Sequence, residues 1–277
     1  MKVLFLTMWK STIILLGAIV TVSGARAGTA RRQNCPNYHV FGARETTAPP
    51  GFGSASTVVN LVQQANAGGT SEVIEYPAAG GNVYAASVAA GVIAVANQTA
   101  AFNQMCPESK IVMVGYSQGA QIIDDAFCGG PDGSSLNTTA ASVSTEVGKI
   151  IAAIVLMGNP RHVDGLSFNV GNATAGGFAA RPVGFRCPAF ESRIQAYCDA
   201  EDPFCAKGNS SATHQGYGRE YGQVALEFVN SKLESSTGMA SNGTNIAVAG
   251  EVSALGLLRW RYLWMCMALS YAFSTMF

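Results

Sequence analysis

Between residues 35 and 233, short β-branched runs alternate with segments whose apolar positions recur at helical spacing. Residues 38–41 and 73–76 read as strands, each followed by a turn rich in glycine or proline. From Tyr84 onward, Val88, Val92, Val95 and Phe102 mark one face of a helix that Cys106-Pro107 ends. Residues 110–116 form the clearest strand. The run Ile111-Val112-Met113-Val114 is apolar at successive positions, as expected when both faces of a parallel sheet are covered. Residues 150–157 repeat this character, and 193–197 form a further, less apolar strand. An amphipathic helix over 217–233 closes the body with Tyr221, Val224, Leu226, Phe228 and Leu233 among its apolar positions. Such alternation implies right-handed crossovers and helices on both faces of a mostly parallel sheet. The expected fold is one α/β domain over 35–233.

Composition narrows the class. Of the 277 residues 48% are hydrophobic and only 12% charged, which excludes a disordered chain. Seventeen basic side chains balance seventeen acidic ones with no basic run, so no nucleic-acid partner is expected. The thirty-one glycines follow no period of three, which excludes a collagen-like fibre.

Both ends differ from the body. Lys2 and Lys10 flank short apolar stretches, residues 11–22 carry no charge, and Ala25-Arg26-Ala27 is a small-x-small triplet. This reads as a secretory signal over 1–27, too short in its apolar part to span a bilayer. Residues 28–34 form a short N-terminal segment in which Arg31-Arg32 is either a dibasic processing site or a solvated turn. Beyond 233 comes a polar linker, then sixteen uncharged, mostly apolar residues over 262–277, with Arg259 and Arg261 before them. Ser241-Asn242-Gly243, a spacer and that tail resemble a GPI-attachment signal, giving a lipid anchor at the C-terminus. A membrane helix and a retained tail are the competing readings.

Export makes the cysteines a disulfide set. Cys266 lies in the tail, leaving Cys35, Cys106, Cys128, Cys187, Cys198 and Cys205, whose pairing spacing alone leaves open. Neither a C-x-x-C pair nor H-E-x-x-H occurs, and His39, His162 and His214 are the only histidines, so no metal is expected. Sequons at Asn97, Asn137, Asn172, Asn209 and Asn242 suit a glycosylated, secreted surface.

Gly115-Tyr116-Ser117-Gln118-Gly119 matches the G-x-S-x-G nucleophile elbow, between the most apolar strand and a helix over 120–127. A hydroxyl needs a base within hydrogen-bond reach. His39 sits in a strand and most simply packs there. His162, on a loop after a strand, stays open. His214 precedes the last helix, where a loop could carry it over the end of the sheet. Asp202 lies between Cys198 and Cys205, with Asp199 and Glu201 as rivals for an orienting carboxylate. If those cysteines pair, the eight-residue loop gains roughly 2.5 kcal/mol in the chain-entropy model.

The order Ser117, Asp202, His214 is that of α/β-hydrolases. Together with Cys35-Pro36, His39 to Thr47, the Cys198–Cys205 loop and Thr213-His214-Gln215-Gly216-Tyr217-Gly218, it resembles fungal acetylxylan esterases of the cutinase-like carbohydrate esterase family 5. The resemblance implies a lidless three-layer α/β/α sandwich with a shallow site and no cofactor. It places the nucleophile, acid and base on Ser117, Asp202 and His214, and the oxyanion donors on Thr46 and the Gln118 backbone. It also implies the pairs Cys35–Cys106, Cys128–Cys187 and Cys198–Cys205. Two cysteine pairs of relatives are missing, after Tyr76-Pro77 and near Thr174 and Ala206, and Phe204 stands where relatives carry tyrosine beside the acid. The implied function is hydrolysis of short acyl esters, acetyl groups on xylan first, by a secreted monomer. The alternatives are a cutinase acting on longer aliphatic esters and a catalytically silent wall-associated binding protein.

Overall fold

The computed structural model describes residues 35–130 and 140–238, so the readings of 1–27, 28–34 and the apolar tail lie outside the described residues. In chain order the elements are β1 (Tyr38–Ala43), α1 (Ser56–Ala65), β2 (Gly69–Val73), α2 (Tyr84–Met105), β3 (Lys110–Tyr116) and α3 (Gln118–Cys128). They continue as α4 (Thr145–Ile150), β4 (Ile151–Met157), β5 (Asn169–Val170), β6 (Ile194–Tyr197), α5 (Ser211–His214) and α6 (Tyr217–Gly238). The strands form one sheet in the order β2-β1-β3-β4-β6-β5, every neighbouring pair parallel.

Side-chain alternation along β3 explains the three layers. Val112 and Val114 pack with Val58, Val59 and Val62 of α1 and with Ala225 and Val229 of α6. Ile111 and Met113 point the other way, to Val88, Val92 and Val95 of α2 and to Ile122 and Ile123 of α3. Both faces of the strand are covered, which is why the run reads as continuously apolar. Each such side chain taken fully out of water contributes about 1.5–3 kcal/mol.

One strand differs from expectation. The second strand is Gly69–Val73, paired with Tyr38 to Gly42, and not 73–76. β2 lies at the edge of the sheet, where Thr70, Ser71 and Glu72 stay in contact with water and need not be apolar. The apolar residues that suggested the later span, Ile74 and Tyr76, are buried just past its end; the Ile74 N–H still donates to the Gly42 carbonyl at 2.8 Å. α1 is not among the elements read from the sequence although Val58, Val59 and Val62 recur at helical spacing and form its buried face, while α4 and the two-residue β5 are too short to show a period. Residues 234–238, read as the start of a linker, continue α6, where the Ser235 hydroxyl donates to the Ser231 carbonyl at 2.6 Å.

Among the described residues three disulfides close the framework: Cys35–Cys106, Cys128–Cys187 and Cys198–Cys205. Among the described residues three buried ion pairs hold the long excursion after β4 onto α3, one of them Arg181 with Asp125 at 3.1 Å. Arg161 meets Asp125 at 3.0 Å and Arg181 meets Asp124 at 2.7 Å. Removing one partner from such a pair strands a buried charge.

The sheet's connectivity also places the site. β1 leads to β2 on one side, and β2 then crosses back to β3 on the other side of β1. A crevice opens at the carboxyl ends of strands where the order reverses in this way. The turns after β1 and β3 therefore meet there. Ile154, in the centre of β4 and 1% exposed, tests the tightness of the packing. Ile154→Ala is expected to lower unfolding free energy by about 2–5 kcal/mol in urea melts, and a loss under about 1 kcal/mol would contradict a close-packed layer.

Candidate active site

Ser117 is the residue between β3 and α3. Its φ of 52° and ψ of −118° are a conformation that L-residues rarely adopt, at a cost of about 1–3 kcal/mol. The turn is held because the Ser117 N–H donates to the Met157 carbonyl at 2.8 Å and the Gln121 N–H donates to the Ser117 carbonyl at 3.0 Å. Gly119 completes it through lack of a side chain: a Cβ there would lie 2.2 Å from the Ala43 carbonyl oxygen. That close approach brings the N-terminus of α3 against the end of β1 and the turn carrying Thr46. The N–H groups of a helix's first turn lack intrahelical acceptors and carry the positive end of its dipole. The Gln118 backbone supplies the first of them in α3.

His214 ends α5, capped by Ser210, whose hydroxyl oxygen accepts from the Thr213 N–H at 3.1 Å. Its Nε2 lies 3.0 Å from the Ser117 Oγ, and its Nδ1 lies 2.7 Å from the Asp202 Oδ2. The Tyr116 hydroxyl donates to the His214 carbonyl at 2.6 Å, fixing the backbone under the ring. Gly158, with φ of +60°, follows β4; a Cβ there would stand 2.8 Å from the imidazole Cε1. Serine and histidine are each 8% exposed, and Asp202 is 0% exposed.

Full burial of a carboxylate demands donors. Asp202 has four. Oδ1 accepts from the N–H groups of Phe204 at 2.6 Å and Cys205 at 3.0 Å. Oδ2 accepts from His214 and from the Tyr217 hydroxyl at 2.8 Å. Burial pushes the Asp202 acid upward, but the hydrogen bond and charge of His214 and the two backbone donors outweigh it and hold the carboxyl below its usual range. Burial raises the Tyr217 phenol well above its ordinary value, so it remains a donor.

The other candidates are elsewhere. His39 bonds Thr70 at 2.7 Å and stacks on Phe102, a packing role. His162 is buried with Nδ1 3.1 Å from the Ala175 carbonyl, and burial lowers its basicity. Asp199 accepts from the Tyr221 hydroxyl at 2.9 Å, and Glu201 is exposed. Tyr217 was not singled out in the sequence, although it stands three residues after His214 in the motif that carries the histidine.

The cleft, about 700 Å³, is lined by Thr46, Ser117 and His214 with the rings of Tyr84, Phe178 and Phe204 at its rim. The Phe204 ring centre is 4.5 Å from that of His214, and Phe178 meets Tyr84 edge-on at 5.6 Å. A nucleophilic hydroxyl, a base and an orienting carboxylate in one line, beside a helix N-terminus, can perform acyl transfer.

The Cutinase family model matches residues 34–233. The chain belongs to the cutinase family. Over 213 residues it is 51% identical to acetylxylan esterase 2 of Talaromyces purpureogenus, covering 74% of this chain and 91% of that protein. It is 52% identical over 233 residues to cutinase 11 of Verticillium dahliae, covering 82% of this chain and 78% of that one. The solved catalytic core domain of acetyl xylan esterase from Trichoderma reesei is 52% identical, covers 72% of this chain and 99% of its own, and superposes with a TM-score of 0.70. This cutinase-family chain is accordingly a carboxylic ester hydrolase, with the α/β sandwich its sequence implied.

The depressed Asp202 carboxyl has a pH consequence. Its contribution to stability is present above the unfolded carboxylate value and is lost as pH falls through the folded one. In Asp202→Asn that contribution is absent at every pH. The gap in melting temperature between the two proteins should therefore shrink from about pH 6 to about pH 3. A gap that widens on acidification would contradict the assignment.

Proposed function

We propose that the protein is a secreted serine esterase that removes short acyl groups, acetyl esters of xylan first, through an acyl-enzyme. The observation that carries this reading is the unbroken contact from Ser117 through His214 to a fully buried Asp202. Support for the substrate comes from two acetylxylan esterases at about half identity, 51% and 48%.

In this mechanism His214 takes the Ser117 proton as Oγ attacks the ester carbonyl. Asp202 holds the imidazole in the tautomer that leaves Nε2 free to accept, and stabilises the imidazolium that follows. The Gln118 backbone N–H and Thr46 stabilise the oxyanion, each donor worth about 2.7–4 kcal/mol of barrier. His214 then protonates the departing sugar oxygen, and water activated by the same ring clears the acyl group. The roles need no cofactor. Residues 1–27 act as the export signal, 35–233 as the catalytic domain, and the segment after 238 as an anchoring or processed tail.

A second reading, turnover of longer aliphatic esters, draws on cutinase 11 as a relative at 52% identity and on the apolar rim of Phe178 and Phe204. The exposed rings, 53% and 41%, suit either a sugar face or an acyl chain.

An organophosphate is expected to label wild-type protein at Ser117 with loss of activity, and Ser117→Ala to take no label and lose at least about a thousandfold in kcat. Folded wild-type protein that resists labelling would favour a silent binding protein. On the labelled preparation's parent enzyme, acetate release from acetylated xylan should outpace hydrolysis of long-chain p-nitrophenyl esters. The reverse order, with xylan untouched, would move the assignment to the longer esters.

A further inference from the structure

The Thr46 turn is closed on itself by the Ala48 N–H, which donates to the Glu45 carbonyl at 3.3 Å, and by the Arg44 Nε, which donates to the Ala48 carbonyl at 3.0 Å. Thr47 next to it has φ of 63°, an uncommon value that is hardest for a β-branched residue. The turn leans on the loop after β2, where Ala78 also has a positive φ, of 51°. The Thr47 N–H donates to the Ala78 carbonyl at 2.7 Å. Gly80 closes the contact, since a Cβ there would meet the Thr46 methyl at 2.9 Å. Two strained turns thus lean on one another, joined also by the Tyr76 hydroxyl, which donates to the Arg44 carbonyl at 2.6 Å, and a side-chain link must still tie the pair to the helix that follows Ser117.

A closed ring of three hydrogen bonds does so. The Gln118 Nε2 donates to the Ala79 carbonyl at 3.0 Å. The Ala79 N–H donates to the Ser87 Oγ at 2.9 Å. The Ser87 hydroxyl donates back to the Gln118 Oε1 at 3.0 Å. The ring determines the amide's orientation, because a backbone carbonyl needs the NH₂ end and the hydroxyl needs an acceptor. Gln118 and Ser87 are 0% and 2% exposed, so water cannot replace a lost bond without entering the core.

We propose that Ser87, with the side chain of Gln118, is a positioning residue for the oxyanion site: the ring ties the loop supporting Thr46 to the residue whose backbone is the other donor. One residue of the elbow thereby supplies an N–H directly and sets the place of its partner through its side chain. Neither side chain touches the reacting atoms. The inference rests on the reading of Ser117, Thr46 and the Gln118 backbone given above.

Ser87→Ala and Gln118→Leu both cut the ring and leave the Gln118 N–H in place. Rates on p-nitrophenyl acetate are compared with those on its thiono analogue, whose sulfur is a poor hydrogen-bond acceptor. Damage to the oxyanion site should slow the oxygen ester about 10- to 100-fold in kcat, with KM within about twofold, and leave the thiono ester far less affected. The ratio of the two rates therefore falls. Equal slowing of both esters, or unchanged kinetics, would overturn the proposal. So would failure of both variants to fold, which would make the ring scaffold alone; melting temperatures decide that. Absence of organophosphate labelling in wild type would instead defeat the underlying reading of Ser117.

Discussion

A carboxylate with no exposed surface governs the arrangement around it. Water would solvate Asp202 by several kcal/mol more than an apolar interior does, so the fold must supply substitutes. It supplies two backbone N–H groups, a phenol and an imidazole. Each comes with a structural commitment. The backbone donors require the chain to turn tightly between Cys198 and Cys205, and the disulfide keeps that turn. The phenol is the first residue of α6, so the start of the last helix is bound to the acid. The imidazole is thereby committed to one orientation, and that orientation presents Nε2 to Ser117.

The serine is positioned by a different constraint, steric rather than electrostatic. Its backbone lies in an unfavourable region, held by the register of β3 against β4 and by a helix that begins immediately after it. Gly119 lets that helix approach β1, so the turn after β1 falls next to the helix N-terminus. The crevice where the strand order reverses is thus filled from both sides. Charge satisfaction places the imidazole of His214, and backbone approach places Ser117 and the helix N-terminus beside it.

The two constraints use different kinds of stabilisation. The apolar layers above and below the sheet carry the stability, and at the site the same protein holds a strained serine, two strained turns and a buried charge. Strain of that kind persists only where surrounding structure over-determines it. The Cys198–Cys205 disulfide closes the loop that carries Asp202, and the buried Arg161–Asp125 and Arg181–Asp124 contacts tie the excursion after β4 to α3.

Local chemistry was enough to reveal much of this in the chain. Continuous apolar runs marked β3 and β4 because both of their faces are covered, and the elbow was visible because few sequences tolerate that backbone. The family motifs, arriving in order, pointed to Asp202 and His214, which the fold brings into contact. Edge strand β2 was misplaced because a strand half in water need not be apolar, and α1 was passed over although Val58, Val59 and Val62 mark its buried face. Tyr217, Ser87 and the side-chain role of Gln118 were illegible for another reason. The Gln118 amide, 31 and 39 residues along the chain from Ser87 and Ala79, becomes their partner only after the crossover stacks the layers, and no one-dimensional pattern encodes a ring of hydrogen bonds closed between three segments. Residue types and their order along the chain determined the class of chemistry; which polar atoms lost water together, and so had to satisfy one another, was decided by the packing.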